Sequence, residues 1–417
     1  MRILMLSSYC YLDGIPEFTR STSGFGYTVG AIVKGLSEKP GNEVWLLTHS
    51  SFVDAKDIGS LHIVRKRWSD IFSGFSFRYL SAWFRDMRDV PLFSNERLRA
   101  LAYYFTGRYA EKVIAAVHPE IVNIRGIGTN TLPFIYACQH MGVPYVVSLH
   151  GLNSLNPQIS LSAASFRAER WLMRRAVENG LWITVISTGI KQRILSLLHV
   201  DGASHIEVVP NGKDVVWQKA DAQSKWSRPA LGISEQEKVL ICCSSLSENK
   251  NQIQLLRAVL LLPETLRTHT KVLLVGDGVE RARLEQFVIE NHMEHMVTLT
   301  GNLSKPEVFA CYSMADANVL TSFSEGFGNS FVEGFSVGIP SVTFSDLDAV
   351  PDLYQPTAMV LSADRSDEAL AKALEQTLCT EWDQNVIIAH GKHFSVQRMI
   401  DGYQDVFQAC LREQEHL

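Results

Sequence analysis

No run of apolar residues in this sequence approaches the roughly 20 needed to cross a bilayer as a helix. The longest, around Leu255 to Leu262, is broken by Arg257 and ends at Pro263. Basic charge is not in surplus either. The formal net charge is −5, which disfavours a general nucleic-acid binder, since such a protein is expected to be basic. Cysteine is sparse and unpatterned: Cys10, Cys138, Cys242, Cys243, Cys311, Cys379 and Cys410 are odd in number, and no pair has metal-ligand spacing. Cys242 and Cys243 are adjacent in a strand-like run and point to opposite faces, a usage that fits a reducing cytoplasm. Met1–Ser7 is apolar but too short for the h-region of a signal peptide, and it reads as a first buried strand. There is no internal repeat and no low-complexity segment.

What is present is a long alternation. The 417 residues, 46% of them apolar, are too many for one core, so two domains are expected. Short apolar runs recur, each followed by a polar or glycine turn and a helix-like pattern. They are Ile3–Leu6, Glu43–Thr48, Glu120–Ile124, Tyr145–Leu149, Trp182–Ile186 and Ile206–Val209, then Lys238–Cys243, Lys271–Val275, Met296–Leu299, Ala317–Leu320, Ser341–Phe344 and Ala358–Leu361. Continuous apolar runs suit strands buried on both faces, and alternation with helices suits parallel sheets. Two Rossmann-like α/β domains follow, residues 1–210 and 211–395, with a final helix over 396–417.

The most informative stretch is Thr321–Pro340. A strand-like run leads into a loop with Gly326 and Gly328, then into a short helix that Gly338 and Pro340 stop. Free backbone N–H groups and the helix dipole make such a place an anion site. Two carboxylates, Glu325 and Glu333, bracket it. A phosphate loop has little use for carboxylates, whereas sugar hydroxyls donate to them. Phosphate plus sugar suggests a nucleotide-sugar. Ser330-x-x-Glu333 is also a capping box, which would explain Glu333 but neither Glu325 nor the glycines.

Weaker signals lie elsewhere. Gly24-Phe-Gly26 would let amides approach a substrate, although two glycines at this spacing occur by chance and read first as a plain turn. His150 follows a strand, on the edge where parallel sheets face their cleft. Lys250 lies in the first loop of the second domain, within reach of a diphosphate, and Gly276-Asp-Gly278 ends the next strand where a base could lie. Between Arg65 and Arg99, arginines interleave with Trp68, Phe72, Phe75, Phe77, Tyr79, Trp83, Phe84 and Phe93. That pattern fits an anionic membrane surface or an acceptor wall. It equally fits aromatics in a core with solvated arginines.

In their order, these pieces resemble a family 4 (group 1) glycosyltransferase: Gly24-Phe-Gly26, His150-Gly151, Val185-Ile-Ser187, Val209-Pro-Asn-Gly-Lys-Asp214, Lys250-Asn251, Val275-Gly-Asp-Gly278, Leu299-Thr-Gly301 and Glu325-Gly-Phe-Gly through Pro340. The resemblance implies the GT-B fold, two Rossmann-like domains with parallel sheets facing a central cleft and a last helix returning to the first domain. It implies a retaining, metal-independent transfer of a hexose or N-acetylhexosamine from a nucleoside-diphosphate sugar, with no cofactor. The acceptor expected is a saccharide or lipid-linked saccharide in surface polysaccharide assembly, and the place the cytoplasm or the inner face of the membrane.

By the same resemblance, Glu325 contacts the donor sugar and steadies its developing positive charge, and Glu333 takes the ribose diol. The amides of Gly326, Phe327, Gly328, Asn329, Ser330 and Phe331 hold sugar and diphosphate. Lys250 neutralises the leaving group, and His150 meets the sugar from the first domain; Gly24, Gly26, Gly276 and Ser245 complete the donor side. One departure stands out. The family has Gly-Arg five residues before the lysine, and Ser244-Ser245 occupy those places here. Charge-assisted bonds are roughly twice as strong as neutral ones, so the missing charge has to come from Lys250 and amides, from Arg20 or Arg125, or catalysis is impaired. The rival readings are a non-catalytic nucleotide-sugar-binding or scaffold subunit, and a sugar phosphorylase or nucleotide-sugar epimerase on the same fold. Asp346-Leu-Asp348 has the form of a metal-binding Asp-x-Asp, but so short a pattern arises by chance and is read as coincidence.

Overall fold

The structure, a computed structural model, describes residues 1–7, 10–18, 24–48, 53–67, 69, 76–88, 95–126, 130–151, 170, 173–174, 177–178, 181–199, 205–213 and 225–415. The chain forms two compact units, Met1–Gly212 with Val396–Leu417, and Lys213–Ser395.

The first unit is built on an eight-stranded sheet: β1 (Arg2–Ser7), β2 (Glu43–Thr48), β3 (Lys56–Ile58), β4 (Leu61–Ile63), β5 (Ile121–Arg125), β6 (Tyr145–Leu149), β7 (Trp182–Val185) and β8 (Ile206–Val208). Their order is β3-β4-β2-β1-β5-β6-β7-β8, parallel except where β3 joins β4. The six longer runs expected in this half are all strands. The β3–β4 hairpin is an addition: each strand has three residues, too few for any periodicity, and Gly59 turns between them at φ 60°.

The helix Gly24–Glu38 lays Val29, Ile32, Val33 and Leu36 on the sheet, a spacing of three and four that puts them on one face. Against it packs the helix Val396–Glu415, whose Met399, Ile400, Tyr403, Val406, Phe407 and Cys410 are all in the same core. Fully burying side chains of this size stabilises by about 1.5–3 kcal/mol each.

The stretch from Arg65 to Arg99 divides between the two readings the sequence left open. In the helix Phe77–Asp86, Tyr79 and Trp83 face inward, and Trp83 donates its indole N–H to the Arg97 carbonyl at 3.1 Å. The opposite face carries Phe77, 80% exposed, and Phe84, 52% exposed, with Arg78, Arg85 and Arg88 around them. Trp68, Phe72, Phe75 and Phe93 lie outside the described residues. No described helix is long and apolar enough to cross a membrane.

The second unit has a wholly parallel sheet of β9 (Lys238–Cys243), β10 (Thr270–Val275), β11 (Val297–Gly301), β12 (Ala317–Val319), β13 (Ser341–Phe344) and β14 (Met359–Ser362), ordered β11-β10-β9-β12-β13-β14. These are the six runs expected from sequence. Chain order reverses between β9 and β12, because β10 lies on one side of β9 and β12 on the other. A reversal of this kind is the place, outside the C-terminal ends of the strands, where open α/β sheets bind ligands.

Candidate functional site

The loop after β9 runs through Ser244–Ser247 into a single turn, Glu248–Lys250, and Asn251 ends that turn in the left-handed conformation at φ 48°. The loop after β12 runs from Leu320 to Gly328. Side chains and backbone stitch the two together. Thr321 Oγ1 donates to the carbonyls of Lys250 at 3.0 Å and Asn251 at 2.9 Å. Asn249 Nδ2 donates to the Ser324 carbonyl at 3.0 Å, and the Phe323 amide donates to the Asn249 carbonyl at 2.8 Å. The result is that Lys250 Nζ forms an ion pair with Glu325, whose Oε1 also accepts from Ser322 Oγ at 2.7 Å. Glu325 is buried. Two residues 75 apart in sequence thus meet at the switch point of the sheet.

Arg365 supports this arrangement from the loop after β14. Its guanidinium donates to the Ser322 carbonyl at 3.2 Å and lies over the Phe344 ring, 4.5 Å from its centroid. Its Nε and Nη2 hold both carboxylate oxygens of Asp346, at 2.7 and 2.8 Å. Asp346 therefore has a structural partner that accounts for it. Sequence reading passed over Arg365. The available signal was its place just beyond a strand end, on the same edge as the other site loops.

The helix Asn329–Ser336 starts differently from the capping-box reading. Gly328, at φ 72°, is its N-cap, and no side chain caps it. Ser330 lies inside the first turn with its hydroxyl 2.7 Å from the Tyr312 hydroxyl, and Glu333 does not reach back to the helix start. Instead Glu333 Oε2 accepts from Tyr312 Oη at 3.1 Å, while its Oε1 pairs with Lys213 Nζ. The two glutamates are thus held by separate lysines from separate loops. The Asn329 and Ser330 amides that open this helix have no intrahelical acceptor, whereas the Phe331 amide, expected from sequence to face the donor, donates to the Gly328 carbonyl at 2.9 Å.

Ser244 and Ser245, in the places of Gly-Arg, are pinned by one side chain: Gln252 Nε2 donates to Ser244 Oγ at 3.0 Å and to the Ser245 carbonyl at 2.9 Å. Gly276 is more than a turn residue. At φ +136° its missing Cβ would lie 2.1 Å from the Ser244 carbonyl oxygen, so only glycine admits the close passage of the two loops.

In the first unit, His150 follows β6 and Arg125 ends β5. Arg125 is 1% exposed and its Nη2 donates to His150 Nε2 and, at 2.9 Å, to Tyr403 Oη; Nη1 donates to Asn123 Oδ1 at 3.0 Å. Both of its terminal nitrogens are thus engaged within the first unit. Arg20 lies outside the described residues. An arginine only donates, so His150 Nε2 is an acceptor and the ring proton sits on Nδ1. Burial, reinforced by the Arg125 charge, holds the imidazole pKa well below its ordinary 6.5. The unfolded chain then takes up a proton that the folded protein refuses, so stability is fully present above about pH 6.5 and is lost as pH falls. A drop in melting temperature between pH 7 and pH 5, absent in His150→Asn, is the expected record of this.

The Phe25 ring meets the His150 ring edge-on, 4.9 Å between centroids. Gly24 opens the helix that Gly26 continues, and the Gly26 carbonyl accepts from the Tyr11 amide at 2.9 Å. The glycine that this close approach demands is a later one: a Cβ on Gly30 would lie 1.9 Å from the Tyr11 carbonyl oxygen.

Two family descriptions divide the chain between them. "Glycosyltransferase Family 4" matches residues 22–216, and "Glycosyl transferases group 1" matches residues 224–394. The chain is a group 1, family 4 glycosyltransferase. Among curated relatives of this glycosyltransferase is the putative teichuronic acid biosynthesis glycosyltransferase TuaC of Bacillus subtilis, 26% identical over 233 residues, covering 56% of this chain and 54% of that one. Another is the 2-deoxystreptamine glucosyltransferase of Streptomyces kanamyceticus, 26% identical over 253 residues, 58% of this chain and 63% of that one. The matches thus span about half to two-thirds of those relatives' length. The fold is GT-B: sucrose-phosphate synthase from Thermosynechococcus elongatus superposes with a TM-score of 0.68 at 17% identity, over 100% of this chain and 98% of that one.

Proposed function

We propose that this glycosyltransferase moves a hexose or N-acetylhexosamine from a nucleoside-diphosphate sugar to a saccharide or lipid-linked saccharide, in polysaccharide or glycoconjugate assembly. The observation that carries the reading is the Lys250–Glu325 pair at the switch point between β9 and β12. An ammonium and a carboxylate side by side match a donor whose leaving group is anionic and whose sugar turns cationic in the transition state. Lys250 meets the diphosphate, the first amides of the Asn329–Ser336 helix add positive potential, and Glu325 faces the sugar. His150 offers Nδ1–H to a sugar hydroxyl as a neutral donor. Positive charge facing the anionic leaving group is then supplied by the protein, and the proposed transfer needs no metal. Retention of anomeric configuration follows the family likeness. The name of the Bacillus subtilis relative favours a surface polysaccharide.

The test is a thermal-shift screen against UDP, GDP, ADP and their sugars, followed by a transfer assay with the donor that binds. A rise in melting temperature with one base, as mass action requires for a ligand of the folded state, together with transfer, supports the reading. Binding with no transfer or donor hydrolysis across several acceptors favours the non-catalytic subunit instead.

The face of Phe77, Phe84, Arg78, Arg85 and Arg88 suits a peripheral contact with an anionic bilayer, where aromatic side chains enter the interface and arginines meet lipid phosphates. Sedimentation with vesicles containing anionic lipid is expected to carry the protein down. A Phe77→Glu/Phe84→Glu variant is expected to lose at least tenfold in partition while keeping its melting temperature. Unchanged partition would remove this face from the account.

A further inference from the structure

Lys213 reaches Glu333 from the opening residues of the second unit, 120 positions earlier in the chain. The neighbouring hydrogen bonds show what this contact does. Glu333 has each carboxylate oxygen anchored to a different group: Oε1 to Lys213 Nζ, Oε2 to Tyr312 Oη at 3.1 Å. Tyr312 is itself fully buried; with its own proton given to Glu333, its hydroxyl accepts from Ser330 Oγ at 2.7 Å. The carboxylate plane is therefore set from both sides. Each carboxylate oxygen has about two acceptor sites, so each can accept from one further donor. That is the acceptor pattern for two neighbouring hydroxyls.

We infer that Lys213 is a positioning residue for the donor's ribose: with Tyr312 it aims the Glu333 carboxylate so that its two oxygens accept from the 2′- and 3′-hydroxyls of the nucleotide together. The inference rests on the reading that Glu333 takes the ribose. Without Lys213 only the Tyr312 bond restrains the carboxylate about its terminal torsion, which is broad, and the paired acceptance is weakened. The residue thereby enforces selection of ribonucleotide over 2′-deoxyribonucleotide donors. A lysine that only held the opening residues of the second unit in place would affect both kinds of nucleotide alike.

The experiment measures affinity by titration calorimetry for UDP and 2′-deoxy-UDP, with the guanine and adenine pairs in parallel, in the full chain. Lys213→Met keeps most of the side-chain length and removes the charge. It is expected to weaken the ribonucleotide about tenfold and the deoxynucleotide less than twofold, so that the ratio between them collapses. Lys213→Arg is expected to retain most of the ratio. A wild-type ratio in Lys213→Met overturns the inference. Should that variant melt too low to assay, Lys213→Gln gives the same comparison. Glu333→Gln separates the two levels of the argument. If it leaves the ratio unchanged, or if the wild type binds none of the nucleotides, the ribose reading beneath the inference falls. If it collapses the ratio and Lys213→Met does not, the inference alone falls.

Discussion

Glu325→Gln is expected to fold normally and to lose transfer by a factor of about 10²–10³ in kcat, the scale measured when a single charge-stabilising group is removed from an active site. The substitution preserves shape and keeps an oxygen for Ser322 Oγ, which donates to Glu325 Oε1 at 2.7 Å. What disappears is the negative charge proposed to face the sugar. The Lys250 side chain is 21% exposed and recovers partners from water, so the stability cost is about 1–2 kcal/mol. The converse substitution behaves differently. Lys250→Ala leaves the Glu325 carboxylate, only 10% exposed, without its cation, and stranding a buried partner in this way costs about 3–5 kcal/mol. Melting temperature and kcat measured on both variants should therefore split: activity falls in each, stability falls mainly in Lys250→Ala. Full transfer by Glu325→Gln would end the assignment of the catalytic carboxylate.

Gly276→Ala is expected to cost about 3–5 kcal/mol, one of the larger effects available to a single methyl group. The new Cβ would fall 2.1 Å from a backbone carbonyl oxygen, that of Ser244, and backbone does not move aside as a flexible side chain does. The Ser244 amide also donates to the Val275 carbonyl at 2.9 Å, so the loop after β9 cannot retreat without giving up a bond. Gly232→Ala is the control. Gly232 has φ +66° but nothing within 4 Å of its missing Cβ, so it bears only the left-handed backbone cost of about 1–2 kcal/mol. Urea titration of the three proteins separates crowding from conformation. Because the displaced loop carries Ser245 and leads to Lys250, Gly276→Ala should also blunt the thermal shift with nucleotide. Equal midpoints for the two variants would contradict the steric account.

The twelve longer strands were readable because each is a continuous apolar run, and burial on both faces of a parallel sheet demands that. The β3–β4 hairpin was not, since three residues define no pattern. At the site, Glu325 and Lys250 were marked by their loops, but their direct pairing was not legible: it depends on Thr321 and Asn249 bridging a gap of more than 70 residues. Lys213 stood in view within Pro210-Asn-Gly-Lys213 with no role, because a carboxylate partner 120 residues away leaves no local trace. The capping-box reading of Ser330 failed for a related reason. Gly328 can adopt φ 72° and begin the helix two residues earlier, which frees Ser330 and Glu333 for tertiary contacts.

The helix Val396–Glu415 belongs to the core of the first unit although it follows the whole of the second. On the ribosome, the first 212 residues therefore emerge without six of the side chains that complete their core, and Arg125 emerges without Tyr403. The second unit is contiguous and can close on itself while synthesis continues. The unit made first is thus finished last, and until residue 410 leaves the exit tunnel its core stays incomplete and presents apolar surface to the chaperones that recognise it.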